Sequence, residues 1–558
     1  MTTAQRTRIG DYLLTRLYQC GIETVFGVPG DFNLALLELL MQRSEMEWVG
    51  NCNELNAAYA ADAYARMKGA GALIVTYGVG DLSAINGVAG SFAEHLPVVC
   101  ISGIPPMHAL RKRMLLHHTS GTGNMEDVMH CMAQFTVAHA RITPANAAAE
   151  IDRVLCSGMR EKRPVYLQIP SDIMDLEIAA PARPLDWAPK LADPAQLLRA
   201  VDAIAERLSK AERPAILVDG DAHRFGLRPV ICALGQTLGI PFAAMPSGRN
   251  IFDEQHPLYR GLYVGDGSPA AGIVESSDCL LAIGARFFDL NTSIFTHEID
   301  ERSMILLESF AVNIGGTLYE GVSAEDVLRE LGRRLEATKK QEAVEDVKGS
   351  APCGGLEADR NASLTHAQLW PRIERFLSPD DVVLAEAGTS FSGICGIRLP
   401  AGAAFISQAV WGSIGYTLPA TLGSMKAVPH RRHLLFIGDG SVQMTAQEIS
   451  TMVRSGLKPI LFVINNDGYT IERLIHGPES AYNDIQPWDY SRLPEVFQPK
   501  STVRSFKVRT IGDLDDVLEE VRSLDGLALV ELMIDRLDAP DSLVAMGRRV
   551  AEFDYGKP

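Results

Sequence analysis

The sequence has no hydrophobic run long enough to cross a membrane. None of its apolar stretches approaches the roughly 20 residues that a membrane-spanning helix requires. The first eight residues, MTTAQRTR, are followed by neither a long apolar core nor a small-residue cleavage site, so they do not predict a signal peptide. We therefore expect no membrane partner and a cytoplasmic location.

Paired cysteines are also lacking. The nine cysteines are scattered, and none of them forms a C-x-x-C pair or a Cys/His cluster with the spacing of zinc ligands. Most stand in apolar stretches such as residues 97–101. We therefore expect reduced thiols, mostly in the core, as in a cytosolic protein.

Positively charged residues are fewer than negatively charged ones. Lysine and arginine number 52 against 69 aspartates and glutamates, which gives a net charge of -17. Such an excess of acidic groups disfavours nucleic acid and anionic membrane surfaces as partners. With 558 residues, 47% of them hydrophobic, the chain is long enough for about three globular domains.

Helical patterns alternate with short apolar strands along the chain. Residues 9–20 carry apolar side chains at helical spacing and stop at Gly21, and residues 53–68 are also helical in pattern. This alternation predicts βαβ units with parallel sheets. The predicted strands are 24–26, 72–76, 97–102, 214–219, 279–283, 381–385, 433–437, 459–464 and 527–533.

Two polar segments divide the chain, at residues 176–195 and 338–362. We therefore predict an α/β protein with three sequential doubly wound parallel-sheet domains. The predicted limits are 1–180 for the N-terminal domain, 181–345 for the central domain and 360–558 for the C-terminal domain.

Two polar loop tips follow neighbouring predicted strands in the third domain. Residues 438–441 (GDGS) follow one strand and residues 465–469 (NNDGY) follow the next. Asn466 lies 27 residues after Asp439, the length of one strand–helix–strand unit, so the two tips can converge at the carboxyl edge of the sheet. Carboxylate and amide oxygens suit Mg²⁺, and glycine amides at a helix start suit a diphosphate.

Either tip alone would be read as a turn. The triplet Gly265-Asp266-Gly267 of the central domain has no matching Asn-Asn tip, and we expect it to be only a turn. The pairing of the two tips is therefore the specific signal.

These paired tips resemble the thiamine-diphosphate motif, and residues 468–472 (GYTIE) resemble the 2-oxo-acid decarboxylases. The resemblance extends over essentially the whole chain. It implies thiamine diphosphate and Mg²⁺ as cofactors, with Asp439, Asn466 and the Gly468 carbonyl as metal ligands. It also implies a pyrimidine-binding first domain and a diphosphate-binding third domain. The implied cofactor-binding residues are Glu54, Gly388, Thr389, Gly412, Ser413, Ile414, Gly438, Asp439, Gly440, Ser441, Asn466, Gly468, Tyr469 and Thr470.

Glu54 stands at the start of the predicted helix 53–68. A glutamate in a first turn is commonly a surface residue favoured by the helix dipole. Its neighbours are small or apolar, so it can instead face a pocket. The resemblance implies that Glu54 hydrogen-bonds the aminopyrimidine ring of the cofactor and favours its imino tautomer.

Four further residues match the decarboxylase pattern. Asp31 alone would predict a helix N-cap. The adjacent His117 and His118 cannot both face one partner on a helix, which favours a loop. The resemblance implies that Asp31, His117, His118 and Glu472 are catalytic residues that relay protons around the substrate.

Residues 411–415 (WGSIG) resemble the segment that bends the cofactor into a V shape. Ile414 would then be the apolar wedge between the rings, and the Gly412 carbonyl would accept from the 4′-amino group. From its residue type alone, Ile414 is a core isoleucine. Residues 388–390 (GTS) resemble a loop beneath the pyrimidine and the diphosphate.

The substrate is a small-molecule 2-oxo acid by resemblance. Residues 469–477 and 482–485 resemble the indolepyruvate and phenylpyruvate branch of the family. Small residues at Ser392 and Gly393, near which a larger residue is common, also favour an aromatic or branched substrate such as indolepyruvate, phenylpyruvate or 2-oxoisovalerate. Pyruvate is the alternative. No cysteine follows the strand at residues 217–222, which disfavours the cysteine-based substrate activation of some relatives.

In the resembled family the active site lies between domains of two chains, so a homodimer is the smallest active unit and a homotetramer is typical.

An acetolactate-synthase-like carboligase would share the cofactor site, but the histidine pair and Glu472 disfavour it. A benzoylformate-type lyase would place its histidines differently. A non-catalytic assembly protein would be expected to lack Glu54 or Asp439.

Overall fold

The predicted alternation builds three separate sheets in the computed structural model, which describes residues 5–181, 183–188, 192–336, 359–498 and 503–556. The first sheet has six parallel strands in the order β3-β2-β4-β5-β7-β6. The strands of this region are β1 Gln5–Arg8, β2 Thr24–Gly27, β3 Glu47–Gly50, β4 Gly71–Thr76, β5 Val98–Ile104, β6 Ala138–Arg141, β7 Val165–Pro170 and β8 Glu177–Ala180.

Helices connect these strands and cover both faces of the sheet, in two clusters of buried apolar side chains. They are α1 Ile9–Gln19, α2 Leu34–Met41, α3 Glu54–Lys68, α4 Val79–Ala93, α5 Met107–Lys112, α6 Asp127–Ala133 and α7 Ala147–Glu161.

The predicted linker 176–195 is wrong in its first part. Its residues 177–180 form β8, which pairs antiparallel with β1. Ile178 is buried while its neighbours Glu177 and Ala179 are exposed, which is the alternation of a strand with one covered face.

The central sheet has seven strands in the order β11-β10-β9-β12-β13-β14-β15. The strands from β11 to β13 in this order are parallel neighbours, and β14 and β15 add an antiparallel edge next to β13. The strands are β9 Pro214–Val218, β10 Phe242–Ala244, β11 Tyr259–Leu262, β12 Cys279–Ile283, β13 Met304–Leu307, β14 Ala311–Ile314 and β15 Thr317–Glu320. The helices are α8 Pro194–Lys210, α9 Gly220–Arg224, α10 Arg228–Leu238, α11 Ala271–Glu275 and α12 Ala324–Glu336.

The third sheet is again six-stranded and parallel, in the order β17-β16-β18-β19-β21-β20. Its strands are β16 Val382–Ala385, β17 Ala404–Ile406, β18 His433–Gly438, β19 Ile460–Asn465, β20 Arg504–Val508 and β21 Ala528–Met533. Its helices are α13 His366–Phe376, α14 Thr389–Cys395, α15 Thr417–Ala427, α16 Asp439–Thr445, α17 Glu448–Arg454, α18 Thr470–Ile475, α19 Leu493–Phe497, α20 Ile511–Arg522 and α21 Asp541–Tyr555.

The fold class is therefore confirmed as three α/β domains, while their predicted limits stay a prediction. Most of the second predicted linker, 338–362, lies outside the described residues, and so does Cys353. Among the described helices, none is both long and apolar enough to cross a membrane.

The first and third domains meet through helices rich in small residues. Helix α3 packs against α4 and α15. A Cβ on Gly423 would lie 1.9 Å from the Ala60 carbonyl oxygen, and one on Gly87 would lie 2.5 Å from the Ala58 Cβ. Only glycine permits this approach, which brings α3 and the loop before α15 into contact.

Eight cysteines within the described residues are free thiols. Cys20, Cys100 and Cys279 are buried, as expected, but Cys52 and Cys131 are exposed, so the expectation of core thiols is wrong for those two. Cys52 lies at the seam of two domains, where its thiol is 3.3 Å from the Gln447 carbonyl oxygen.

Candidate active site

The two polar tips of the third domain converge as predicted. Strands β18 and β19 are parallel neighbours in register, with Gly438 opposite Ile464, so the residues that follow them emerge at one edge of the sheet. One Asp439 carboxylate oxygen accepts from the amide of Gly468, at 3.1 Å. The side-chain amide of Asn466 lies 3.1 Å from the other carboxylate oxygen and 3.1 Å from the Gly468 carbonyl oxygen.

Thr470 determines which end of the Asn466 amide faces these oxygens. The Thr470 hydroxyl donates its single proton to the carbonyl of Arg536, at 3.0 Å. It therefore accepts from the amide nitrogen of Asn466, at 2.8 Å, which leaves Oδ1 facing the two oxygens. If the amide were rotated by 180°, its nitrogen would donate to both oxygens. The Thr470 hydroxyl would then have to donate to the Asn466 oxygen and would lose its hydrogen bond to the Arg536 carbonyl.

The three oxygens fit Mg²⁺. Octahedral Mg²⁺ bonds oxygen at about 2.1 Å, so adjacent ligand oxygens stand about 3 Å apart. The 3.1 Å separations on either side of Asn466 Oδ1 match this spacing. Three mutually facing oxygens without a proton between them repel one another, and a divalent cation removes that repulsion.

Burial raises the pKa of Asp439 to about 6. Amide donors oppose this effect, chiefly Gly440 at 2.8 Å and Gly468 at 3.1 Å. A divalent cation beside the carboxylate would hold it ionised at neutral pH.

Both tips need glycine for steric reasons. Gly468 has φ +119°, and a Cβ there would lie 2.2 Å from the carbonyl oxygen of Asn483. A Cβ on Gly440 would lie 2.6 Å from the ring of Tyr469. The helix α16 begins at Asp439, so the glycine of this tip lies in its first turn.

Sequence reasoning missed two buried residues that support the tips. The guanidinium of Arg473 donates to the carbonyls of Asp467 and Asn483 and so ties the second tip to the segment after α18. The hydroxyl of Tyr490 donates to the carbonyl of Asp439, at 3.3 Å. The type of neither residue indicates this role, since each acts on backbone brought near by folding.

The first domain brings together Asp31, His117 and His118. The Asp31 carboxylate lies 2.9 Å from Nε2 of His117, and the two imidazole rings have centroids 4.5 Å apart. Phe32 stacks on His117 with a centroid distance of 5.1 Å. The histidines lie in a loop, as predicted, and His118 has φ +62°.

Gly78 allows this loop to reach the end of β4. A Cβ on Gly78 would lie 1.9 Å from the His118 carbonyl oxygen.

Glu54 is the first residue of α3 and is half-buried. Asn53 caps the helix by accepting from the amide of Asn56, at 2.8 Å. No hydrogen bond from a described residue reaches the Glu54 carboxylate. A Cβ on Gly80 would lie 3.4 Å from its Oε1, so α4 passes close beside it.

The segment that resembles the cofactor-bending element lies in a loop between β17 and α15. We call residues 407–416 the bending loop. It turns at Gly412 and Gly415, with φ of 62° and 85°, and Ile414 is half-buried. Residues 388–390 were predicted to be a loop, but Gly388 caps α14 and Thr389 is already its first residue.

The residues that favoured a bulky substrate have another explanation. A Cβ on Gly393 would lie 1.8 Å from the indole of Trp370, so packing requires glycine there. The buried Ser392 has its hydroxyl 2.5 Å from that of Ser542. These small residues therefore give no support to a larger pocket.

Within one chain, the candidate catalytic residues of the first domain are not bonded to the metal tips. No hydrogen bond or ion pair between described residues joins Asp31, Glu54 or His117 to either tip. One of the contacts between the two domains is made by the buried Glu448, which accepts from Asn56. Glu472 is exposed on α18.

The geometry defines an α/β protein whose third domain offers oxygen ligands with the spacing that a divalent cation requires. Known proteins agree with this class. Residues 7–129, 201–324 and 391–532 match the N-terminal TPP binding, central and C-terminal TPP binding domains of the thiamine pyrophosphate enzymes.

Similar full-length proteins are named pyruvate decarboxylase. The chain is 40% identical to one from Candida glabrata over 558 residues, which cover 98% of each chain. It is 40% identical to isozyme 1 of Saccharomyces cerevisiae, over 97% of this chain and 98% of the relative. It is 41% identical to one from Aspergillus fumigatus, over 96% and 95%.

The chain therefore belongs to the thiamine-pyrophosphate-dependent 2-oxo-acid decarboxylases. It is a carboxy-lyase whose cofactors are thiamine diphosphate and Mg²⁺, the standard pairing of this family.

Proposed function

We propose that the chain decarboxylates pyruvate to acetaldehyde and carbon dioxide. The observation that carries this proposal is the similarity, over nearly the whole chain, to relatives named pyruvate decarboxylase. The packing of Gly393 on Trp370 removes the argument from pocket size for an aromatic or branched substrate.

Asp439 and Asn466 would hold Mg²⁺ through side-chain oxygens, and Gly468 through its carbonyl. When bound, thiamine diphosphate supplies a thiazolium ring that accepts the electron pair left by carbon dioxide. The further residues that we propose to bind it are Gly388, Thr389, Gly412, Ser413, Ile414, Gly438, Gly440, Ser441, Tyr469 and Thr470.

Glu54 would orient the aminopyrimidine by hydrogen bonding. Support comes from its half-buried carboxylate, which has no other hydrogen-bond partner among the described residues. A carboxylate so placed is free to bind a ring nitrogen and to exchange a proton with it.

Asp31 and His117 would act as a pair that holds and transfers a proton near the substrate. Their 2.9 Å contact leaves Nδ1 of His117 free for a second partner. His118 and Glu472 complete the proposed set, each offering one further titratable group.

Within the described residues of one chain, no hydrogen bond or ion pair joins Asp31, Glu54 or His117 to the metal tips, which supports a homodimer in which each site takes residues from two chains. A homotetramer and a cytoplasmic location are also part of this proposal. The free thiols support the location, because disulfides are rare in reducing compartments.

An aldehyde-release assay tests the proposed function. The substrates are pyruvate, 2-oxoisovalerate, phenylpyruvate and indolepyruvate, each with and without thiamine diphosphate and Mg²⁺. We expect the highest kcat/KM for pyruvate and no activity without the cofactor. A higher kcat/KM for an aromatic acid would overturn the substrate, and acetolactate as the main product would favour a carboligase.

A further inference from the structure

The bending loop has few internal contacts to fix its shape. The amide of Ser413 donates to the side-chain oxygen of Gln408, at 3.0 Å, and the amide of Gly412 donates to the Gln408 carbonyl, at 3.2 Å. Gly412 and Gly415 both adopt left-handed backbone angles. A loop of this kind takes its precise shape from the elements around it.

Asn86, on α4 of the first domain, contacts the loop on both sides of Gly412. Its Oδ1 accepts from the indole N–H of Trp411, at 2.8 Å, and its Nδ2 donates to the Ser413 hydroxyl, at 3.1 Å. Because an indole N–H can only donate, Trp411 determines which end of the amide is the oxygen. The Asn86 side chain thus binds both Trp411 and Ser413, the residues before and after Gly412.

Tyr59, on α3, completes this arrangement. It is fully buried, its hydroxyl lies 2.6 Å from the hydroxyl of Ser413, and it accepts from Asn86 at 3.0 Å. Burial raises the pKa of Tyr59 to about 12, so it is protonated at neutral pH. It can therefore donate to Ser413.

The hydroxyls of Tyr59 and Ser413 have two protons between them. Both hydroxyls accept from Asn86, and one of their two protons lies between them. The other proton is free to bind a further group. Tyr59 is fully buried whereas Ser413 is half-buried, so the free proton belongs on Ser413 and can reach a ligand.

We propose that Asn86, supported by Tyr59, is a positioning residue that sets the direction of the Gly412 carbonyl and the Ser413 hydroxyl. The inference rests on the proposed function, in which Gly412, Ser413 and Ile414 of this loop bind the cofactor. Asn86 acts through the loop and does not itself touch the substrate. Helix α3 thus begins with Glu54 and, further along, supports the loop through Tyr59.

The test compares Asn86→Ala with Lys426→Met. Lys426 forms an ion pair with Glu47 at 2.6 Å, which joins the same two domains outside the loop. Calorimetry with thiamine diphosphate in excess Mg²⁺ gives the cofactor affinity, and circular dichroism of the bound cofactor reports its folded shape. Steady-state kinetics with pyruvate separates kcat from KM.

We expect Asn86→Ala to lower both cofactor affinity and kcat by about 10- to 100-fold, as is usual for groups that orient a ligand-binding residue. The KM for pyruvate should change little, and the circular dichroism of the bound cofactor should change. Lys426→Met should match the wild type. Equal losses in the two variants, or a wild-type affinity in Asn86→Ala, would refute the proposal.

Trp411→Phe provides a second variant that does not endanger folding, because Trp411 is 39% exposed. It removes one contact of Asn86, and it should lower cofactor affinity by a smaller factor than Asn86→Ala does. The double variant should lose less than the sum of the single losses, since both act through one contact. Strict additivity would contradict the inference.

Failure of the proposed function and failure of the role proposed for Asn86 give different results. If the wild type decarboxylates no 2-oxo acid, the proposed function fails. The affinity and circular dichroism of the bound cofactor would still decide the role of Asn86.

Discussion

The Asn466 amide lies 3.1 Å from the Asp439 carboxylate, although 27 residues separate them in the chain. The pairing of two adjacent parallel strands creates this proximity, and Thr470 orients the amide so that its oxygen faces the carboxylate. Two oxygens so placed are stable together when a cation lies between them.

Replacing Asp439 should therefore remove the metal site. We expect Asp439→Ala to weaken binding of Mg²⁺ with thiamine diphosphate by more than about 100-fold, because a direct ligand costs more than a residue that orients one. Titration calorimetry measures the affinity.

Asp266→Ala is the matched control, since Asp266 stands in the same Gly-Asp-Gly triplet of the central domain. That triplet forms a turn, as predicted, and its carboxylate pairs with Arg549 at 2.8 Å. Cofactor binding should be unchanged in this variant. A similar loss in both variants would show that the assignment of the metal site to Asp439 is wrong.

Replacing Glu54 tests proton transfer without disturbing packing. Glu54→Gln keeps the shape but cannot exchange a proton, so release of carbon dioxide should fall by about 10²- to 10⁴-fold. The melting temperature should stay close to that of the wild type. Glu38→Gln, at an exposed position of α2, is the control, and retained activity in Glu54→Gln would contradict the proposed role.

Replacing Gly393 tests whether packing explains the small residue there. Gly393→Ala would force a Cβ into the Trp370 indole, so we expect a loss of about 1–3 kcal/mol in the free energy of unfolding. Denaturant titration measures it. Gly272→Ala, at an exposed position of helix α11 with open space around the added Cβ, should be neutral or stabilising.

His433 should make stability depend on pH. Burial lowers its pKa to about 4, below the ordinary value of 6.5, so the unfolded chain takes up the proton first. The neutral imidazole therefore stabilises the fold above pH 6.5, and this stabilisation is lost as the pH falls towards 4.

In unfolding experiments from pH 7 to pH 4, wild type should lose up to about 3 kcal/mol more than His433→Gln. The titrations of other groups cancel in this comparison. His430→Gln, at an exposed position three residues earlier, should follow the wild type. Parallel curves for wild type and His433→Gln would be inconsistent with a buried neutral histidine.

Much of the site could be predicted from local sequence. The strand before Asp439 and the strand before Asn466 are short apolar runs that end in polar turns, and parallel strands place such turns at one edge. The adjacent His117 and His118 predicted a loop for a similarly local reason. These features depend on residues near one another in the chain.

Other features could not be predicted in this way. Ser392 and Gly393 suggested an open pocket, yet Gly393 is small because Trp370 lies against it. The contact of Asn86 with Trp411 joins residues 325 positions apart, and no local pattern marks either as a partner.

By itself, the sequence determined the three α/β domains, the free cysteines and the two tips that suit a metal, because periodicity and turn chemistry act over short distances. The tertiary structure alone decided which small residues are packing requirements, how the Asn466 amide is turned and which first-domain residues hold the bending loop. Those features depend on contacts between distant segments, whose spacing is set only when helices such as α3 and α15 pack together.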